Sequence, residues 1–241
     1  SMPAQDAGER SGNFCEVNLG FDEQLAVLEA QRCLQCKHPK CIEGCPVAVD
    51  IPNFIDLVAA GDLRGAAQSL LADNALPCVT GRVCPQESQC EQVCLRGDTL
   101  RGVPGVPVAI GHLERFVADW AAAHADQVAV EPPASTGKRV AIVGSGPGGL
   151  TAAGELVRFG HDVTIFEAFH EAGGVLLYGI PEFRLPKDVV EQEVDRLVKL
   201  GVTIEHNTII GRTWTLPELR DRFDSVFVAV GAGLPVFMGV P

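Results

Sequence analysis

The sequence predicts two domains of different classes, an α-helical domain followed by an α/β domain with a parallel sheet. Two observations support this prediction. Seven cysteines with metal-ligand spacing lie within residues 33–94, between segments of helical periodicity. From residue 139 onward, short β-branched runs alternate with helical segments, and a glycine-rich turn follows the first run. Strands that alternate with helices in this way are typical of a parallel sheet covered by helices.

The cysteines form two runs with the spacings C-x2-C-x4-C-x3-C-P and C-x5-C-x3-C. Thiolates on one short loop can all face inward on a soft metal. Iron–sulfur clusters are held by such thiolates, often with a proline after the last one. The pattern therefore indicates iron–sulfur clusters. The seven residues are Cys33, Cys36, Cys41 and Cys45 in the first run, and Cys84, Cys90 and Cys94 in the second.

Two other uses of cysteine remain open. A disulfide framework fits a short secreted chain, but no apolar signal segment opens this sequence. Structural zinc is the stronger alternative, because C-x2-C pairs also form zinc sites. Zinc usually takes two well-separated pairs, whereas here four cysteines share one loop and a proline follows both Cys45 and Cys84. The spacing favours iron–sulfur clusters over zinc.

Composition limits the classes of partner. A chain of 241 residues with 46% hydrophobic content can form one large or two modest globular domains. The formal net charge of −12 disfavours nucleic acid and anionic membranes. No run of about eighteen apolar residues predicts a membrane span. Nine cysteines without a signal segment indicate a reducing cytoplasm, and Ser1 before Met2 is interpreted as a remnant of tag removal.

The predicted helical domain covers residues 21–130. Residues 1–20 are polar and lack periodicity, so we expect them to form a mobile N-terminal arm. Asp22 is the predicted N-cap of the first helix. Helices of this kind can pack around the cysteine runs. The helices are predicted over residues 21–32, 53–60, 63–72 and 108–123.

Three stretches of this domain resemble the N-terminal domain of the glutamate synthase small (beta) subunit family. They are Arg32–Val47, Gly81–Glu87 and Pro107–Phe116. The same module occurs in the large subunit of electron-bifurcating ferredoxin–NADP transhydrogenases and in dihydropyrimidine dehydrogenase. The resemblance covers nearly the whole chain from about Gln24 onward, and it implies two interleaved [4Fe-4S] clusters. One departure is Thr80, where relatives often carry a cysteine.

The resemblance assigns the cluster ligands to two sets. Seven thiolates leave one position of two four-iron clusters unfilled, and Glu114 matches the position at which the family carries a carboxylate or an amide. An oxygen ligand would alter the potential of that cluster. Without the resemblance, Glu114 would be interpreted as a solvated helix residue. The first ligand set is Cys33, Cys36, Cys41 and Cys94, and the second ligand set is Cys45, Cys84, Cys90 and Glu114.

A dinucleotide-binding domain is predicted over residues 138–241, after a linker at residues 131–137. Its first strand, Arg139–Val143, leads into a G-x-G-x-x-G turn that opens a helix. Glu167 ends the next strand, 23 residues beyond Gly144. In such a unit the glycines allow a tight turn, close approach of a pyrophosphate and close helix–strand packing. The acid accepts hydrogen bonds from a ribose.

A second glycine pair, Gly173-Gly174, follows this acid and favours FAD over a nicotinamide dinucleotide. By resemblance, the pair and Arg184 lie along FAD, and the backbone near Ile210 touches adenine. The predicted fold class is therefore an α-helical iron–sulfur domain followed by an incomplete α/β Rossmann-like FAD-binding domain. The predicted FAD-binding residues are Gly144, Ser145, Gly146, Pro147, Gly149, Glu167, Gly174, Val175, Arg184, Ile210 and Gly231.

The resemblance implies that the intact protein passes a hydride from NADPH to FAD and then single electrons through the clusters to a partner subunit. The sequence contains one G-x-G-x-x-G unit. We therefore expect a fragment that lacks the NADPH domain and is inactive with NADPH by itself. Its incomplete FAD domain is expected to expose an apolar edge and to self-associate. No catalytic acid, base or nucleophile is predicted, because the protein positions and tunes its cofactors.

Three functions remain open at this point. The chain could belong to the electron-input subunit of glutamate synthase, with a separate large subunit as its partner. It could belong to the large subunit of a bifurcating transhydrogenase, which connects ferredoxin and nicotinamide pools. The third alternative is a non-catalytic module that binds clusters and flavin and docks another redox partner.

Overall fold

The computed structural model describes residues 2–97, 105–128 and 133–232. They fall into two units, Ser1–Val130 with Pro181–Val190, and Glu131–Ile180 with Glu191–Pro241. Parts of three predicted segments lie outside the described residues, namely the loop at 98–104, the start of the linker and the last nine residues. The sequence places residues 181–190 in the second domain, whereas in the structure they pack with the first. Val17 N, for example, donates a hydrogen bond to Phe183 O at 3.0 Å.

Helices make up the regular structure of the first unit. Four of them lie within a few residues of their predicted positions. Among the described residues, no helix is both long and apolar enough to cross a membrane. The helices are α1 (Ala7–Arg10), α2 (Glu23–Ala30), α3 (Lys40–Glu43), α4 (Ile51–Ala59), α5 (Leu63–Asp73), α6 (Pro77–Val83) and α7 (Ile110–Ala123), with a 3-10 turn at Gln86–Ser88.

The core of the first unit lies where α4, α5 and α7 meet. Phe54 and Ile55 of α4, Leu70 of α5 and Leu113 of α7 are completely buried. Removing such a side chain from water contributes about 1.5–3 kcal/mol each. This packing fixes the position of α7, and the predicted ligand Glu114 directly follows one of these core residues.

Helix α2 begins at the predicted N-cap, Asp22, whose side chain accepts a hydrogen bond from Leu25 N at 2.8 Å. The helix is buried through small residues, since Ala26 and Ala30 are inaccessible while Leu28 is 63% exposed. The larger apolar residues that predict the helix are therefore not the ones that bury it. Alanines allow α2 to approach α4 more closely than leucines would.

Helices α6 and α7 pack closely against each other. A Cβ added at Gly81 would lie 2.7 Å from backbone atoms of Arg115, so only glycine fits there. The Arg82 guanidinium donates to both carboxylate oxygens of Asp119, at 2.7 and 3.0 Å. Helix α6 was not predicted, because a seven-residue segment that starts with a proline and contains a glycine shows little periodicity.

Residues 2–20 have more local structure than the arm expected from the sequence. They contain α1 and an antiparallel bridge between Ala4 and Asn18. The Glu16 carboxylate pairs with Arg82 at 2.9 Å and with Arg115 at 3.0 Å. Since both arginine side chains are largely buried, these ion pairs connect the N-terminal segment to α6 and α7.

The second unit is built on a parallel sheet with the strand order β3-β2-β1-β4. Strand β1 has its predicted bounds, and β2 is the predicted strand that precedes Glu167, whereas the short helix α9 was not predicted. Helix α10 begins within residues 181–190 and continues into the second unit. The elements are β1 (Arg139–Val143), α8 (Pro147–Arg158), β2 (Asp162–Phe166), α9 (Val175–Tyr178), α10 (Lys187–Lys199), β3 (Thr203–Glu205), α11 (Leu216–Arg222) and β4 (Ser225–Val228).

The register of the sheet brings the predicted nucleotide-binding residues to one edge. Val143 of β1 pairs with Phe166 of β2 and with Val228 of β4. Because the strands are parallel, the glycine turn and Glu167 leave the sheet at the same end. Ligands of open parallel sheets bind outside the carboxyl ends of the strands. The topology therefore places these residues where a dinucleotide would bind.

Strand β4 is an edge strand among the described strands. Phe227 is 45% exposed and Val228 is 55% exposed, which is unusual for apolar residues of a parallel strand. The exposed apolar edge that is expected from an incomplete domain stays a prediction. Self-association through that edge stays a prediction.

Replacing Gly81 with alanine tests the packing of α6 on α7. The added methyl group would meet the Arg115 backbone, which can move only if a whole helix shifts. We expect Gly81→Ala to lower the free energy of unfolding of the first unit by about 1–3 kcal/mol. Gly12→Ala is the matched control, because its added Cβ meets nothing closer than 3.6 Å. Urea denaturation followed by circular dichroism measures both variants, and equal midpoints would contradict the account.

Candidate functional site

The first ligand set lines one pocket of the helical unit. Cys33 and Cys36 lie in the loop after α2, Cys41 lies on α3, and Cys94 follows the 3-10 turn. The fold thus brings together four thiols from two separate parts of the sequence. The rest of the pocket wall includes the apolar residues Ile51, Ile55, Val93, Leu95, Val108 and Ile110.

Side chains of α2 and the following turn hold the start of α7 beside this pocket. The Glu29 carboxylate accepts a hydrogen bond from Ala109 N at 2.8 Å. The Arg32 guanidinium, next to Cys33 in sequence, donates to the Pro107 carbonyl at 3.2 Å. These contacts fix the segment that leads into α7, so Ile110 can line the first pocket.

The second ligand set lies near the C-terminal ends of α3 and α6 and includes Glu114 of α7. Cys84 follows α6 directly, and Cys45 comes shortly after α3. Burial, then the charges of Glu114 and Cys45, raise the pKa of the Cys84 thiol to about 11. Burial also raises the pKa of Cys90, with further contributions from Glu91, Glu114 and Cys45. Glu114 and Cys45 therefore lie close enough to both Cys84 and Cys90 to raise their pKa values.

Glu114 is buried, not solvated, with 9% of its surface exposed. Its Oε1 atom accepts hydrogen bonds from Asn74 Nδ2 at 3.0 Å and from Thr80 Oγ1 at 2.5 Å. Burial raises the pKa of this carboxyl to about 7, although both hydrogen bonds oppose the rise. Because both bonds go to Oε1, Oε2 remains for another partner. No local pattern indicates that Asn74, forty residues away in the sequence, orients this side chain.

Two short segments carry ligands of both sets, and we call them the bridging segments. They are residues 41–45 and 90–94, and each begins and ends with a cysteine. Gly44 lets them touch, since a Cβ added there would lie 2.8 Å from Val93 Cγ2 and 3.3 Å from Cys90 Cα. The two ligand sets are therefore adjacent and share their supporting backbone.

Two thiols of the first set, Cys41 and Cys33, favour the protonated form when no metal is bound. Burial, followed by the charges of Cys33 and Cys94, raises the pKa of Cys41 to about 12. Burial is also the main reason that the pKa of Cys33 is raised. Since iron binds thiolates, cluster assembly must displace protons from these groups. When bound, a [4Fe-4S] cluster accepts and donates single electrons, and the donors of both sets suit such a cluster.

The glycine turn of the second unit leaves space for a phosphate group. Gly144 has a φ of +99°, which favours glycine. A Cβ added at Gly149 would lie 2.0 Å from Gly144 O, so α8 lies directly against the turn. A Cβ added at Gly146 would meet nothing within 4 Å, so this backbone faces open space. The α8 N-terminus, with Pro147 as its first residue, offers amide donors there.

Glu167 is held beside this turn at the end of β2 and is 5% exposed. Its Oε2 atom accepts hydrogen bonds from Ser145 N at 2.9 Å and from Ser145 Oγ. Its Oε1 atom accepts one from Phe169 N at 2.8 Å. The carboxylate is thus fixed at the edge of the sheet where a ribose would be recognised.

The glycine pair after Glu167 stands against the glycine turn. Gly174 has a φ of +53°, and a Cβ added to it would lie 2.8 Å from Gly146 Cα. Val175 begins α9 and is 56% exposed. The open side of Gly174 therefore lies directly against the Gly146 backbone, and we call the glycine turn together with Gly174 the glycine cradle.

The remaining predicted FAD residues lie in three different places. Ile210 is partly buried and packs against a cluster that includes Phe166. Gly231 follows β4 and has a φ of +66°. Arg184 belongs to residues 181–190, which group with the helical unit, so its predicted contact with FAD stays a prediction.

Comparison with known families agrees with both units. Residues 10–126 match the family described as dihydropyrimidine dehydrogenase domain II, 4Fe-4S cluster. Residues 138–241 match the pyridine nucleotide-disulphide oxidoreductase family. The chain joins a 4Fe-4S domain to a pyridine nucleotide-disulphide oxidoreductase domain.

Two curated relatives illustrate the similarity. The chain is 41% identical over 226 residues to the NAD-dependent dihydropyrimidine dehydrogenase subunit PreT of Escherichia coli O157:H7, covering 92% of this chain and 53% of the relative. It is 38% identical over 228 residues to the glutamate synthase [NADPH] small chain of Azospirillum brasilense, covering 93% and 46%. The resemblance inferred from the sequence is confirmed, and the chain spans about half the length of these relatives.

Gly44→Ala tests whether the bridging segments support both ligand sets together. The added methyl group would force the two segments apart, at an expected cost of about 1–3 kcal/mol. We expect less iron to bind at both sets after anaerobic reconstitution, because each segment carries one cysteine of each set. Iron analysis with electron paramagnetic resonance (EPR) of the reduced protein measures this loss.

A second substitution serves as a rescue control. Val93 provides the atom nearest to the added methyl group, so Val93→Ala in the Gly44→Ala variant removes the closest clash. We expect it to restore part of the bound iron, whereas Gly12→Ala leaves iron binding unchanged. Loss of iron from one set only, with the other intact, would show that the segments act independently.

Proposed function

We propose that the intact protein transfers electrons between FAD and two [4Fe-4S] clusters, in the manner of a glutamate synthase small chain. The chain itself is part of an oxidoreductase with a 4Fe-4S domain and a pyridine nucleotide-disulphide oxidoreductase domain. The observation that carries the proposal is the adjacency of two interleaved ligand sets, joined by the bridging segments. Two clusters on shared backbone are suited to pass single electrons from one to the other.

In this proposal the first ligand set holds one cluster through four thiolates. The second set holds the other through three thiolates and the Glu114 carboxylate. Support for the carboxylate comes from its burial beside Cys84 and Cys90, and from hydrogen bonds that occupy Oε1 alone. A harder oxygen donor gives that cluster a potential different from that of a four-thiolate cluster.

FAD is the proposed dinucleotide of the second unit, which we interpret as a Rossmann-like domain. The strand order β3-β2-β1-β4 supports this, since a doubly wound dinucleotide fold begins in that order. The turn from Gly144 to Gly149 would hold the pyrophosphate, and Glu167 would bind the adenosine ribose. A bound flavin exchanges hydrides with nicotinamides and single electrons with clusters. The residues of this chain bind and orient it.

NADPH is the proposed electron source, and a glutamate synthase large subunit is the proposed partner. Both proposals rest on the similarity to glutamate synthase [NADPH] small chains. The relatives are about twice as long as the region they share with this chain. We therefore place the nicotinamide site in the part of the relatives that this chain does not span, and expect no NADPH oxidation by these 241 residues alone.

A second candidate is the electron-input subunit of a dihydropyrimidine dehydrogenase. It is favoured by the 41% identity to a PreT subunit, which is named as NAD-dependent. The nicotinamide preference of the full-length protein distinguishes the two candidates. Faster reduction of an artificial acceptor with NADPH supports the glutamate synthase type, whereas faster reduction with NADH supports the PreT type.

Substitution of Glu114 tests its role as a ligand. We expect Glu114→Ala to lose one of two cluster signals in EPR spectra and about half of the bound iron, because one cluster then has three ligands. Glu114→Gln keeps an oxygen donor of the same shape, so we expect it to retain iron with a shifted potential. Glu23→Ala, at an exposed position of α2, is the matched control. Two unchanged cluster signals in Glu114→Ala would contradict the assignment.

A further inference from the structure

The hydroxyl group of Ser145 points into the protein although its residue lies in the glycine turn. Ser145 is completely buried. Its Oγ atom donates to Glu167 Oε2 and accepts a hydrogen bond from Gly173 N at 3.1 Å. Because the Gly173 amide already donates to Oγ, the hydroxyl proton is directed at the carboxylate. A chain of two hydrogen bonds therefore runs from the Gly173 amide through the Ser145 hydroxyl to Glu167, and we call this chain the relay.

We propose that Ser145 is a positioning residue, whose side chain acts on FAD through Glu167 and Gly173 and makes no contact of its own with the cofactor. The inference rests on the FAD site proposed above and deepens it. It changes the role expected from the sequence, in which Ser145 was counted among the cofactor-binding residues.

The relay connects three segments that are separate in sequence. Ser145 belongs to the turn after β1, Glu167 directly follows β2, and Gly173 precedes the glycine that stands against Gly146. The Ser145 carbonyl also accepts a hydrogen bond from Gly173 N, at 3.2 Å. Ser145 therefore fixes the distance from Glu167 to the glycine turn and to the segment that contains Gly173 and Gly174.

The relay also determines which carboxylate oxygen is available to a ligand. Oε2 of Glu167 accepts two hydrogen bonds from Ser145, whereas Oε1 accepts one, from Phe169 N. A carboxylate oxygen can accept about two. The remaining capacity lies mainly on Oε1, so the serine holds the carboxylate in an orientation that offers this oxygen to ribose hydroxyls. Hydrogen bonds to an ionised carboxylate are roughly twice as strong as neutral ones, which makes this orientation rigid.

The experiment measures FAD affinity of the full-length apoprotein by flavin fluorescence. Ser145→Ala removes only the hydroxyl group, and we expect it to weaken FAD binding about tenfold. If Ser145 acts through Glu167, Ser145→Ala weakens FAD binding by much less than tenfold when it is introduced into the Glu167→Gln variant. Thr136→Ala is the control, because its hydroxyl bonds Gly160 O at 3.1 Å, near the opposite ends of the strands. Its affinity is expected to be unchanged.

A second measurement does not depend on flavin. Hydrogen exchange of the Gly173 amide in the apoprotein should be faster in Ser145→Ala than in the wild type, since the amide loses one of its two acceptors, Ser145 Oγ, and keeps only Ser145 O. Wild-type affinity in Ser145→Ala, or full additivity with Glu167→Gln, would overturn the role of serine while leaving the FAD site intact. Failure of the full-length wild-type protein to bind FAD would instead overturn the FAD site, and this role with it.

Discussion

The contact between the two bridging segments is the constraint on which the helical unit depends. Each segment carries a cysteine of each ligand set, and Gly44 allows the backbones to meet without a side chain between them. A shift of either bridging segment therefore moves one cysteine of each ligand set. The surrounding helices serve this arrangement: α6 ends at Cys84, and α7 brings Ile110 to the first set and Glu114 to the second.

Close backbone approach at glycines also shapes the second unit. Glycines again allow backbone to approach backbone, at Gly149 against the Gly144 carbonyl and at Gly174 against Gly146. The parallel register then places Glu167 beside this cradle. In both units, therefore, glycine stands where a neighbouring segment comes close. Polar side chains orient the proposed acid of each site. They are Asn74 and the partly buried Thr80 in one unit, and Ser145 in the other.

The features that could be predicted from the sequence are those that depend on local spacing. Cysteine spacing indicated clusters, and the strand–glycine–helix pattern with Glu167 located the nucleotide edge. Features that depend on long-range packing could not be predicted. Helix α6 has too little periodicity, and α2 is buried through Ala26 and Ala30 although its leucines produce the helical pattern. The Asn74 hydrogen bond to Glu114 and the close approach at Gly44 exist only once distant segments have met.

Native mass spectrometry of the anaerobically reconstituted chain tests the central claim most directly. We expect one dominant species that carries two [4Fe-4S] clusters, and loss of both clusters together when Gly44 is replaced by alanine. This result would show that two adjacent sets assemble as a unit on shared backbone. A dominant species with one cluster, or with zinc in place of iron, would contradict the claim, because the interleaved ligand sets would then not form two cluster sites.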